Sequence, residues 1–100
     1  MSKTLKVGTH RLVLTAGVNL KVANDSAFAK LVWKSLLRFN RGDWGDASSL
    51  DWELNDRDTI ALNSGDYGRV LAKYSDRFEG RDIWIIRDSI AVIVMFPNEH

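Results

Sequence analysis

The chain is expected to fold as an α+β domain: an antiparallel β-sheet of about five strands with two helices packed on one face, in the order β-β-α-α-β-β-β. Three observations predict this. Short apolar alternations flank a glycine near the start, two stretches of helical spacing occupy the middle, and three apolar runs separated by turn signals close the sequence. At 100 residues and 45% apolar content, residues 1–100 make a single domain with one core. Four tryptophans, four phenylalanines and two tyrosines fill that core with bulk.

Thr4 to Val7 and His10 to Thr15 alternate around Gly8-Thr9 and read as a β-hairpin, with Gly17 and Asn19 marking the exit of its second strand. Asn24-Asp25-Ser26 supplies helix caps. Phe28, Leu31, Val32, Leu36 and Phe39 then recur three and four residues apart until Asn40-Arg41-Gly42 stops the helix. Ser48 or Ser49 caps a second helix, with Leu50, Leu54 and Ile60 as its apolar positions and acids in its first turns, where the helix dipole favours them. Gly65 and Gly68 mark its exit. Strands follow at Arg69 to Tyr74, Asp82 to Arg87 and Ile90 to Phe96, with turns at Ser75 to Gly80 and Asp88-Ser89. The runs Ile83-Trp84-Ile85-Ile86 and Ala91 to Phe96 are apolar on both faces. One strand should therefore be central and covered twice, or one face should meet another chain, including a homodimer through the C-terminal strands.

The absence of cysteine excludes disulfides, thiolate metal sites and a cysteine nucleophile, and fits a cytoplasmic setting. No apolar run suits a signal peptide or a membrane span. The two histidines, His10 in a strand and His100 at the end of the sequence, offer poor positions for a catalytic base. Neither Asp43-Asp46-Asp51 nor Gly42-x-x-Gly45 matches a calcium loop, a dinucleotide fingerprint or a phosphate loop. The expectation is a protein that is not an enzyme and needs no cofactor or metal. A metal-dependent hydrolase on Asp43, Asp46 and Asp56 is the weaker reading.

Charge is the most informative property. The net charge is only +1, but residues 42–66 hold Asp43, Asp46, Asp51, Glu53, Asp56, Asp58 and Asp66 against Arg57 alone, whereas residues 1–41 carry a strong cationic excess. Such polarity bears on partners. The acidic segment could dock on a basic surface of a host protein or ribonucleoprotein, with Trp44 or Trp52 as anchor. Trp44, set between glycines, is expected to plug the core, and Trp52 to be the more exposed. Alternatively, Lys30, Lys34 and Arg38, four residues apart on the first helix, with Arg41 beyond them, could track a phosphate backbone.

Gly17-Val18-Asn19, Ala27 to Lys30, Arg41-Gly42-Asp43-Trp44-Gly45-Asp46, Asn55-Asp56, Arg69 to Tyr74, Ile83 to Ile86 and Phe96-Pro97-x-Glu99 occur in this order along nearly the whole chain. In this the sequence resembles a family of short plasmid-related proteins of bacterial conjugative elements and phages, whose most specific feature is the GDWGD block. That family commonly has a threonine-rich last strand and a terminal tyrosine; here stand Ala91-Val92-Ile93-Val94 and His100. The resemblance implies a mobile-element setting and no activity. Together with the charge asymmetry it leads to a non-enzymatic binding protein, an inhibitor of a host defence complex of the anti-CRISPR or antirestriction type. Its binding surface would comprise Asp43, Trp44, Asp46, Asp51, Trp52, Glu53, Asp56 and Asp58. The alternative is a small nucleic-acid-binding regulator of plasmid or phage maintenance.

Overall fold

A computed structural model describes residues 3–7, 10–76 and 81–100. The elements are β1 (Lys3–Val7), β2 (His10–Leu14), α1 (Ala16–Asn24), α2 (Ser26–Asn40), α3 (Ser49–Asn63), β3 (Val70–Asp76), β4 (Arg81–Arg87) and β5 (Ala91–Met95), followed by one 3₁₀ turn at Pro97–Glu99. The turn expected at Gly8-Thr9, and residues 77–80 of the turn expected after Ser75, lie outside the described residues. Ser75 and Asp76 themselves belong to β3.

The strands form one sheet in the order β1-β2-β5-β4-β3. It is mixed, not antiparallel as expected. β1–β2, β4–β5 and β3–β4 are antiparallel, but β2 runs parallel to β5. Two short reversals bring β5 back to the direction of β3, and β5 then inserts beside β2, whose chain has already left the sheet for the helices. β5 is therefore central, which accounts for its unbroken apolar run.

Among the described residues there are three α-helices where two were expected. The segment around Gly17 and Asn19, read as a strand exit, is α1. Its N-terminus is capped from far along the chain: Glu99 accepts Gly17 N–H (3.0 Å), the Thr15 hydroxyl (2.7 Å) and Phe96 N–H (3.0 Å). Burial works against ionisation of Glu99, and these three donors more than offset it, so its carboxyl sits below the usual range. α2 begins as expected, with Asp25 accepting Phe28 N–H at 3.1 Å, and buries Phe28, Val32, Leu36 and Phe39. α3 is capped by Ser48, whose hydroxyl accepts Asp51 N–H at 3.2 Å.

The face of α3 corrects the sequence reading. Leu50 and Ile60 are 63% and 69% exposed, and Leu54 is also exposed. The helix instead buries Asn55 and Leu62 and packs Trp52 against the core. Positions 52, 55, 59 and 62 define this inner face, and its polar members hid it from an apolar count.

One cluster joins Val18, Phe28, Val32, Leu36, Phe39, Trp44 and Leu62 to strand residues of a single parity, including Leu12, Leu14, Ala72, Tyr74, Ile83, Ile85, Val92 and Val94. All three helices therefore lie on one face of the sheet. On the other face Ile86, Ala91 and Met95 are buried but stand apart from that cluster. Side chains of the sheet and of the segment after β5 lie there: Lys73 Nζ is 5.0 Å from the Trp84 ring centroid, His100 meets Trp84 edge-on at 5.6 Å, and Arg69 bonds His100 Nε2 at 2.7 Å.

The orientation of α3 is testable by chemical denaturation. Leu62→Ala should cost about 2–4 kcal/mol, and Leu50→Ala less than about 0.5 kcal/mol. Equal costs would mean that the helix faces the core differently.

Candidate functional site

The residues singled out by charge and resemblance lie between α2 and β3, and most of them first serve the fold. β3 is an edge strand whose outward backbone groups need partners. Arg69 N–H donates to Asp58 Oδ2 (3.1 Å), and Leu71 N–H to Asn55 Oδ1 (3.1 Å). Asn55 Nδ2 donates in return to Leu71 C=O at 2.8 Å, so one side-chain amide takes the place of a neighbouring strand. Lys73 N–H donates to Trp44 C=O (3.2 Å), and Asp46 N–H donates to Lys73 C=O (2.7 Å). The Ser75 hydroxyl reaches Asp46 Oδ2 at 2.7 Å.

This approach requires glycine. Gly45 has φ +66°, and a Cβ there would stand 2.1 Å from the Lys73 carbonyl oxygen. Between Gly42 and Gly45 the chain turns Trp44 inward to 3% exposure, edge-on to Phe39 at 5.2 Å between ring centroids. The indole N–H is satisfied by Asp56 Oδ1 at 2.9 Å. Trp44 is thus a core plug, as expected, and offers a partner almost no surface. Trp52 is more exposed than Trp44, as expected, but is still half-buried against the core.

Asp43 anchors the turn from the other side. It accepts Arg38 Nε (2.7 Å) and Nη2 (3.1 Å) and Gly45 N–H (3.0 Å), and its carbonyl accepts the Tyr74 hydroxyl (2.7 Å). The Arg38 guanidinium holds the Asp43 carboxyl below its usual range, against partial desolvation, and Asp43 in turn raises Arg38. Burial pushes the Tyr74 phenol well up, so it stays a hydrogen-bond donor at neutral pH. Arg38 also lies over the Tyr74 ring, 5.0 Å from its centroid. Arg38 therefore leaves the proposed basic ridge and becomes part of this clasp.

Among the described residues no group of three or more His, Asp or Glu side chains is placed to hold a metal ion. Asp43, Asp46 and Asp56 serve the hydrogen bonds above. No helix among the described residues is long and apolar enough to cross a membrane.

What faces outward differs from the sequence expectation in two places. α3 presents Leu50, Leu54 and Ile60 with Glu53, Asp56 and Arg57, all exposed. α2 presents Lys30, Lys34 and Arg41 with Leu37 and with Trp33, which is 62% exposed. Sequence reasoning passed over Trp33, although its place between Lys30 and Lys34 and off the Phe28-Val32-Leu36 stripe sets it outside. Asp51 and Asp58 are only partly exposed. Comparison with protein-family models, with curated proteins and with solved structures finds no match.

Two outcomes test the clasp. Asn55→Ala strands the Leu71 N–H and C=O and should cost about 2–4 kcal/mol in denaturant titrations. Asp43→Asn should cost about 0.5–1 kcal/mol near pH 7, a modest figure because the Asp43 and Arg38 side chains are 36% and 42% exposed. Because the folded-state pKa of Asp43 is depressed, its contribution is present above the unfolded carboxylate value and disappears as pH falls through the folded one. The stability gap between wild type and Asp43→Asn should therefore shrink as pH falls below the unfolded carboxylate range. A gap that stays constant as the pH is lowered would assign the cost to something other than the ion pair.

Proposed function

We propose that this chain is a non-enzymatic binding protein of a mobile genetic element that inhibits a host defence complex through the acidic outer surface of α3. The observation that carries the reading is the exposure of Leu50, Leu54 and Ile60 on a helix that also bears Glu53 and Asp56. Large aliphatics grouped on one outward helix face are a costly arrangement unless a partner covers them. Carboxylates beside them favour a partner whose apolar groove has a basic rim, such as a protein that binds DNA or guide RNA. Of the residues first assigned to the surface, Glu53 and Asp56 remain its charged part. Leu54 replaces Trp44 and Trp52 as the anchor, and Asp43, Asp46 and Asp58 act by holding the segment in place. The mobile-element setting rests on the resemblance of the GDWGD block and its companions.

Trp33 favours a second reading. An exposed indole among Lys30, Lys34 and Arg41 suits base stacking beside phosphate contacts, so direct nucleic-acid binding through α2 is the alternative.

Tagged protein and a Glu53→Lys, Leu54→Asp variant, both incubated with bacterial lysate with and without nuclease, separate the two readings. The host-protein reading expects a nuclease-resistant complex with one defence or nucleic-acid-processing protein, reduced at least about tenfold by the variant while its circular dichroism is unchanged. Nuclease-sensitive recovery of many unrelated proteins, indifferent to the variant, would overturn it in favour of α2.

A further inference from the structure

The outer surfaces of α2 and α3 complement each other. Both helices are 15 residues long, so both span about 22 Å. Both lie in the same layer, since each packs on β3 and contributes to one core cluster. α2 contains no carboxylate and exposes Lys30 and Lys34, flanked by Trp33 and Leu37. α3 exposes Glu53 and Asp56, flanked by Leu50, Leu54 and Ile60, with Arg57 as its one cation. Six of the eight large exposed apolar side chains of the described residues are on helices, five of them on these two. Each helix therefore offers what the other lacks in charge and what it shares in apolar surface.

We propose that the helix layer is the contact between two copies of this chain, with α2 of each copy lying on α3 of the other. A two-fold axis running along the layer between the two helices produces this arrangement and satisfies both contacts at once, giving a closed dimer. The apolar side chains supply the attraction, and the Lys34 and Glu53 rows fix which helix meets which. The other face of the sheet is a poorer site for self-pairing. Its apolar centre is partly covered by Lys73, which lies over the Trp84 ring, and by His100 with its partner Arg69. Nucleic acid on α2 would match the lysines but leave Leu37 without an apolar counterpart.

The dimer does not depend on the host-protein reading, although both use α3: a copy released from the dimer exposes that helix to a host protein. Sedimentation velocity from about 1 μM to about 1 mM tests it directly. The wild type should dimerise within this range. Lys34→Glu and Glu53→Lys should each raise the dissociation constant at least about tenfold, and the two together in one chain should recover most of the affinity, because reversing both rows restores opposite charges. Both positions are exposed, and unchanged circular dichroism confirms that the variants are folded. A chain monomeric throughout, a dimer indifferent to both single reversals, or a double variant no tighter than the singles would each overturn the proposal. Any of these would leave the lysate experiment untouched.

Discussion

The outward edge of β3 is the constraint on which the segment from residue 42 to 69 depends. An edge strand that packs beneath helices cannot leave its N–H and C=O groups facing apolar surface, and one left open to solvent invites pairing with another chain. Here the edge is met at three successive outward positions by three different chemical groups: the Asp58 carboxylate on Arg69, the Asn55 amide on Leu71, and the backbone of residues 44–46 on Lys73. Each demands something of the sequence. The Asn55 amide must donate and accept together, which neither aspartate nor leucine can do. The 44–46 backbone must approach so closely that Gly45 can carry no side chain. Asp58 and Asn55 must share the inner side of α3, so that helix turns Leu50 and Ile60 to solvent. The outward aliphatics thus follow from how α3 is docked.

Much of this was legible in the sequence where interactions are local. α2 could be read from Asp25 to Asn40 because its cap lies three residues from the amide it serves and its apolar stripe is continuous. The last three strands were legible because their turns are short. Trp44 could be placed inside because glycines on both sides allow the chain to fold it inward. Long-range partnerships were not legible. Gly17, the second residue of α1, has its N–H held by Glu99, 82 positions away, and no local signal announces that cap. α3 was misoriented because its inner face carries Asn55, which makes good its burial only once β3 is present. The parallel pairing of β2 with β5 depends on where β5 inserts, a choice made by packing of the whole layer.

The charge polarity of the chain divides along the same line. Asp43, Asp46, Asp56 and Asp58 each accept a defined hydrogen bond from Arg38, Ser75, Trp44 or Arg69, so part of the acidic excess exists because turns and edges need acceptors. Those bonds leave charge in place, and an aspartate that accepts one donor still repels other carboxylates and attracts cations at the surface. The clasp also removes Arg38 from the cations of α2 by pairing it with Asp43, which confines the outward positive charge to Lys30, Lys34 and Arg41. Both helices thereby present a single dominant sign beside exposed apolar side chains, positive on α2 and negative on α3. The negative face of α3 disfavours nucleic acid, but neither face alone separates a host protein from a second copy. In the proposed dimer, their juxtaposition in one layer would let a second copy match both faces at once.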